Sequence, residues 1–351
     1  MGDGNSPFSF QNVLALSTFH SAKQFRRLRR ECKTIQTGKI IKNPSVDIAE
    51  ESCFALFVCF AFRIFCFRME DDNSQNSAER PMTRLHLSIA YDGTRYAGWQ
   101  VQPKNPTVQG ELLKRLRLML RNPELKIYGS SRTDAGVHAL DQQVSFEASF
   151  PSDVDPGDLA RRLNRWLPED IYVKSCRICE GPFNARYDNC GKAYTYCLAP
   201  GFKPNPLYVR YLWRTPHELD LDAMREAAAI LQGEHDFASF AVNPGKVIES
   251  TVRNLRRLEV LTPGDGMVYV NAVGDSFLYK MVRSLVGYLV YVGQGYAAPQ
   301  EAQRVLEGKC RSLAADSAPA SGLFLAKVFF DHDSWRSYQP ILPPFAFTSR
   351  L

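Results

Sequence analysis

The chain has 351 residues, 45% of them hydrophobic and 23% charged. These proportions exclude collagen-like and wholly disordered readings, and the length allows roughly two domains. Lys and Arg number 43 against 37 Asp and Glu, a net charge of +6 that permits an anionic partner without requiring one, and nine cysteines in no regular spacing argue against a disulfide-built secreted fold.

Residues 1–46 hold eight basic residues, two acids and five serines, the composition of an organelle transit peptide. The competing reading is a basic unstructured arm with sequence-independent affinity for RNA. The apolar run from Cys53 to Phe67 is interrupted by Arg63 and is shorter than the roughly 20 residues a membrane-spanning helix needs. Met69 opens an acidic stretch, Glu70-Asp71-Asp72, that reads as an independent start. Residues 1–81 therefore read as a leader or disordered extension. With a transit segment the protein belongs in a chloroplast or mitochondrion, and without one in the cytoplasm. Beyond residue 81 no stretch is long and apolar enough to be a membrane span. The balance there is 32 basic to 28 acidic residues, so a nucleic-acid surface has to come from clustering.

The core begins with a strand in which Leu85, Leu87 and Ile89 alternate with polar residues. Thr107 is placed to N-cap a helix with Val108, Leu112, Leu116, Met119 and Leu120 on its apolar face and Lys114, Arg115, Arg117 and Arg121 on the other. A strand over Lys126–Tyr128 runs into the polar loop 129–138, and a third strand carries Val144 and Phe146. A helix is predicted over Asp158–Trp166, then strands over Ile171–Val173 and Ala193–Leu198. The second half has a similar order of elements, with a helix over Leu221–Leu231, strands over Leu255–Leu261 and Val268–Val273, and a long apolar helix over Phe277–Val292. A short helix over Gln300–Leu306 and a strand over Leu323–Phe330 complete the chain. The class is α+β, with two mainly antiparallel sheets flanked by helices.

The loop at 129–138 is the best candidate for chemistry. Gly129 and Gly136 flank polar residues between two strands, where a scaffold commonly holds functional side chains. Arg132 and Asp134 lie two apart and project to one side of an extended loop. An arginine beside a carboxylate favours the charged form, which serves as nucleophile or general base. The plainer reading is a turn capped by Asp134 with Arg132 on the surface. Arg283 sits in an otherwise apolar helix, where an unpaired charge is costly, so it too calls for a carboxylate partner.

Ser131-Arg132-Thr133-Asp134-Ala135-Gly136-Val137-His138-Ala139 resembles the signature of the TruA family of tRNA pseudouridine synthases. Tyr91 to Gln100, Phe183 to Tyr187, Lys192 to Tyr196, Gly233 to Phe240, Phe277 to Gly287 and Ala318 to Leu325 are similar to the family's other motifs, in family order. The resemblance covers residues 84–330. It implies that a uridine at positions 38 to 40 of the tRNA anticodon stem-loop is isomerised to pseudouridine. The bond from N1 to the sugar is cleaved, the uracil rotates while held, and C5 is joined in its place. No metal or organic cofactor is implied. Asp134 corresponds to the catalytic aspartate and Arg132 to its neighbour in the signature. Tyr194 corresponds to the active-site tyrosine, Arg283 to the arginine that pairs with the aspartate, and Leu323 to an apolar residue of the base pocket.

The resemblance further implies a homodimer, with one tRNA contacting both subunits, and two related α+β halves with the active-site cleft between them. These fall at 82–184, carrying the aspartate, and 185–345, with a tail at 346–351. Candidate RNA contacts are Arg95, Lys114, Arg115, Arg117, Arg121, Arg161, Arg162, Arg165, Arg186 and Lys192. Asp134-Ala135-Gly136 is similar to the bacterial-type branch. Ser349-Arg350-Leu351 is similar to a peroxisomal address, which a tRNA substrate argues against.

Cys176 and Cys179, with Cys190 and Cys197, offer enough thiolates for zinc, but the spacing is not that of a zinc ribbon. Gly293-Gln294-Gly295 follows a helix rather than a strand, which rules out a dinucleotide loop. Two other functions compete with the main one: a catalytically silent RNA-binding homologue, and a pseudouridine synthase that acts on another RNA site.

Overall fold

A computed structural model describes residues 82–343, apart from 151–154, 244, 246–248 and 265. The expected leader and the tail lie outside the described residues. The chain opens with β1 (Met82–Tyr91), in which Leu85, Leu87 and Ile89 are fully buried, as the alternation requires. Helix α1 (Val108–Met119) is capped by Thr107, whose hydroxyl accepts from the Gly110 N–H at 3.2 Å. Such a cap stabilises by about 1 kcal/mol. Leu112 and Leu116 are fully buried along one face of α1, each stabilising by about 2 kcal/mol.

Next come β2 (Ile127–Gly129), β3 (His138–Ser149), α2 (Pro156–Trp166) and β4 (Ile171–Ile178). Helix α2 starts earlier than its apolar pattern predicts, because Asp155 caps it and Pro156 occupies the first turn, where a missing N–H costs nothing. The second part contains β5 (Gly191–Pro200), β6 (Trp213–Thr215), α3 (Leu221–Leu231), β7 (Gly233–Asp236), β8 (Val252–Leu261) and β9 (Val268–Gly274). It ends with α4 (Met281–Gly293), α5 (Glu301–Gly308) and β10 (Leu323–Phe329).

The α+β class and the mainly antiparallel pairing hold, but the strands join into one sheet rather than two. Its order is β4-β1-β3-β10-β5-β9-β8-β7, with β2 added on β3 and β6 on β5. The joining element is β10, the last strand of the chain. It runs antiparallel to β5 through six residue pairs, but parallel to β3 through only two, Phe324 with His138 and Leu325 with Ala139. The seam between the two groups of strands is thus short, and it lies where the loop before β3 meets the start of β10. The central strands are covered on both faces: every residue of β9 is buried, and all of β5 except the half-buried Lys192. Such strands lose the clean alternation that marks β1.

One boundary differs from the sequence pattern in a way that shapes the site. The apolar run from Phe277 reads as helix, but α4 begins at Met281. Lys280 takes a left-handed backbone conformation, φ 59°, and the turn before it closes through the Met281 N–H to the Leu278 carbonyl at 3.1 Å. Phe277 is thereby freed to pack edge-on against Tyr194 with ring centres 5.2 Å apart, and Arg283 falls in the first turn of the helix.

Candidate active site

Asp134 lies in the loop between β2 and β3, and three sets of contacts fix that loop. Gln142 in β3 holds it from below: the Gln142 amide donates to the Ser131 carbonyl at 2.7 Å, and its oxygen accepts from the Ser131 N–H at 3.1 Å and the Ser130 hydroxyl at 2.8 Å. The segment after β1 holds it from the side. There Trp99 N–H donates to the Thr133 carbonyl at 3.1 Å, and the Tyr91 and Thr133 hydroxyls share a buried hydrogen bond of 2.8 Å. Gly98, at φ +93°, has the Thr133 carbonyl and the Asp134 backbone against it, where any Cβ would collide. The Tyr91–Gln100 motif is therefore a cradle for the Asp134 loop. The loop closes in a turn from the Asp134 carbonyl to the Val137 N–H at 3.1 Å, with Gly136 at φ +78°.

His138 supplies the third set and ties the loop to the second group of strands. Its Nδ1 accepts from the Gly93 N–H at 3.0 Å, so Nε2 carries the proton and donates to the Ser321 carbonyl at 3.1 Å. Burial lowers the pKa of this histidine, although Asp92 lies 3.1 Å from Nδ1 and opposes the shift. The ring thus clamps the Asp134 loop to the turn that leads into Leu323.

On the far side of the cleft Arg283 reaches in from α4. Its Nη1 is 3.1 Å from Asp134 Oδ2, and its Nε donates to the Ala318 carbonyl at 2.7 Å. The carboxylate side chain is 17% exposed and the guanidinium 14%, so the pair is enclosed but open on one side. Tyr194 of β5 stands beside it. The ring is buried, and its hydroxyl shares a 2.8 Å hydrogen bond with the Ser131 hydroxyl. Burial pushes this phenol up to about 12, and the Asp134 charge adds to the shift against the Ser131 hydrogen bond, so the hydroxyl keeps its proton at neutral pH.

These side chains face an open cleft of about 1130 Å³. Seven basic residues line it, among them Lys126, Arg132, Arg186, Lys192 and Lys280, and Asp134 is the one acid in the lining. A concave surface with that charge excess gathers polyanions.

A family model described as tRNA pseudouridine synthase matches residues 227–331. Over 250 residues the chain is 41% identical to tRNA pseudouridine synthase A of Fervidobacterium nodosum, an alignment that covers 71% of this chain and 100% of that one. The chain belongs to the tRNA pseudouridine synthases. The synthase A of Thermosipho africanus is 40% identical over 252 residues, 71% of this chain and all of the relative. That of Latilactobacillus sakei is 38% identical over 248 residues, 70% of this chain and 98% of the relative.

Within this synthase Asp134, Arg132, Tyr194, Arg283, Leu323 and Arg186 all line the one cleft. The pairing of Asp134 with Arg132 does not form. Arg132 is exposed, and Asp134 turns instead to Arg283. The loop alternates, with Ser131 and Thr133 packed inward on Tyr194 and Tyr91, which leaves Arg132 to point into solvent at the rim. Arg95 is not among the lining residues; its guanidinium is held by Asp170 at 2.7 Å. Several other basic candidates are also occupied: Arg115 by Glu111, Arg161 by Asp158, and Arg117 by the Leu125 carbonyl at 3.0 Å.

Burial pushes the Cys176 thiol up to about 12 and the Cys179 thiol upward, and among the described residues no three His, Cys, Asp or Glu side chains come together as a metal site. Cys197 is fully buried among apolar neighbours. The clamp role of His138 escapes sequence reasoning because its partners, Gly93 and Ser321, are distant in the chain.

Proposed function

We propose that this synthase converts uridine to pseudouridine at positions 38 to 40 of the tRNA anticodon stem-loop, with Asp134 as the catalytic carboxylate. One observation carries the reading: a single carboxylate, paired with Arg283 and faced by Tyr194, in a cleft whose other charged lining residues are all basic. The target base is stacked in a folded stem-loop and must be flipped out to reach that carboxylate. Leu323 gives the base an apolar surface, and the Tyr194 hydroxyl is a proton donor rather than a tyrosinate base. In this reading Arg132, exposed at the rim, and Arg186, stacked over Tyr187 at 5.2 Å, contact the RNA backbone and position it without reading its sequence. Arg95 is an outer RNA contact in this reading. By the family resemblance the active unit is a homodimer, testable by sedimentation. Among the described residues no helix is long and apolar enough to cross a membrane.

The test incubates the full chain with unmodified tRNA transcripts bearing uridine at positions 38 to 40 and maps pseudouridine by carbodiimide-blocked primer extension, beside Asp134→Ala. Signal at those positions, lost in the variant, supports the reading. Binding without modification shows a silent RNA-binding homologue, signal elsewhere moves the target, and signal that survives in the variant removes Asp134 from the chemistry.

A further inference from the structure

Lys192 is the one basic residue of the cleft whose surroundings do not explain its charge. It stands two residues before Tyr194 on β5, so the two side chains share the face of the sheet that forms the cleft floor. Its neighbours across the sheet, Gly274 on β9 and Val328 on β10, offer no side-chain acceptor. Among the described residues the ammonium makes no hydrogen bond, ion pair or ring contact. Arg283 has Asp134 and the Ala318 carbonyl, and Arg117 has the Leu125 carbonyl, but Lys192 has nothing. Burial alone pulls its pKa down to about 8, with no neighbouring charge contributing, so it remains mostly charged at neutral pH.

A partly desolvated cation with no partner is costly, and it gains when an anion or a strong acceptor arrives. We propose that Lys192 is a catalytic residue that binds a carbonyl oxygen of the flipped uracil and stabilises the uracil anion while it is detached from the sugar. The inference rests on the function proposed above. When the C1′–N1 bond breaks, the bonding pair leaves with the base, and the negative charge is shared between N1 and the ring oxygens. The sugar is satisfied by Asp134, which bonds to C1′ or takes the C2′ proton. C5 then bonds C1′, the carboxylate is released or returns the C2′ proton, and the C5 proton passes to N1. The net change is an isomerisation. Between cleavage and rejoining the base has to turn without escaping. A donor-only ammonium, on the same face as Tyr194 and not ion-paired to Asp134, is suited to hold it by its developing charge.

The experiment compares wild type, Lys192→Met and Lys192→Gln in single-turnover reactions with saturating enzyme, using tRNA that carries uridine or 5-fluorouridine at the target. The fluorinated base is the more acidic leaving group and needs less help. The expected result is a fall of at least about 100-fold in glycosidic cleavage of uridine tRNA by Lys192→Met, with tRNA affinity within about threefold of wild type. With 5-fluorouridine tRNA the loss is at least about tenfold smaller. Lys192→Gln, which keeps a donor and nearly the length, falls between, and it carries the test alone if the Met variant does not fold. An equal loss with both substrates overturns the inference. So does an unchanged cleavage rate with weaker binding and a salt slope reduced by about one, the mark of a phosphate contact. A wild type that forms no pseudouridine overturns the proposed function and this inference together. An active wild type with unaffected variants overturns this inference alone.

Discussion

Two carboxylates near the start of β3 have opposite fates. Asp134, in the loop before the strand, meets one cation and otherwise faces the cleft. Asp141, within the strand, has a side chain only 5% exposed and is gripped by Lys174 and Lys327, each at 3.2 Å, and by the Ser88 hydroxyl at 2.9 Å. Its partners come from β4, β10 and β1, so it stitches together strands on both sides of the short parallel seam. Asp134 keeps an open side and so remains available to a substrate; Asp141 has none. The difference separates a charge left open to a substrate from a charge held for architecture, and neither depth nor pairing alone would reveal it.

Exchanging each carboxylate for a neutral group should separate the two roles. Asp134→Ala is expected to lower single-turnover pseudouridine formation by about 10³-fold or more, while urea denaturation shows a much smaller change than that of the Asp141 variant. Arg283 keeps its bond to the Ala318 carbonyl, which limits the structural cost. Asp141→Asn is expected to do the reverse. It should destabilise the fold by about 2 kcal/mol, because Lys174 and Lys327 lose their shared partner but remain about half exposed and can turn to water. Activity per folded molecule should stay within about threefold of wild type. A comparable loss of activity in both variants would break the distinction.

Acid sharpens the same contrast. Burial works against the charged form of Asp141, but Lys327 and Lys174 outweigh it, and the carboxyl is held below its ordinary range. A carboxyl depressed in the native state contributes stability that is present above its unfolded pKa and is lost as pH falls through the native value. Unfolding free energy should therefore decline below about pH 4, and the decline should be shallower in Asp141→Asn. Parallel acid profiles for the two proteins would remove Asp141 as a source of the pH dependence.

Tyr194→Phe is a smaller change. It deletes the hydroxyl that bonds Ser131 but leaves the ring against Phe277. Activity should fall by about 10- to 100-fold with stability altered by about 1 kcal/mol. A rate equal to wild type would leave Tyr194 as a packing residue only.

Much of this is legible in the sequence, and the reasons differ by region. In β1 apolar Leu85, Leu87 and Ile89 alternate with Arg84, His86 and Ser88, so the pattern declares the strand and its register. In α1 the Thr107 cap and the Leu112–Leu116 spacing do the same. The residues of the cleft can be found because Asp134, Tyr194 and Arg283 sit in motifs that resemble one family. What the pattern cannot show is pairing across the chain. The closeness of Arg132 and Asp134 in sequence points to a pair, whereas the partner that reaches Asp134 stands 149 residues away. β6 and β7 escape because strands of three or four residues carry too few alternations to be read. The single sheet escapes because the parallel contact of β10 with β3 spans only two residue pairs and leaves no periodic trace.

The same distinction between open and occupied charge ranks the outer arginines. Arg186 and Arg95 are both candidate RNA contacts, and both are exposed. Arg186 lines the cleft, and its guanidinium is stacked over Tyr187 without a carboxylate. Arg95 lies outside the lining and is already bound by Asp170, which also accepts from the Tyr96 hydroxyl. A phosphate that approaches Arg186 finds a whole charge, while one that approaches Arg95 has to compete with a carboxylate in place. Arg186→Ala is therefore expected to weaken tRNA binding several-fold and to reduce the slope of log affinity against log salt by about one. Arg95→Ala should change that slope by much less. Filter binding over a salt series reads both. If the two slopes fall equally, the ion pair with Asp170 opens on binding, and an occupied charge in the apo protein is no guide to its use in the complex.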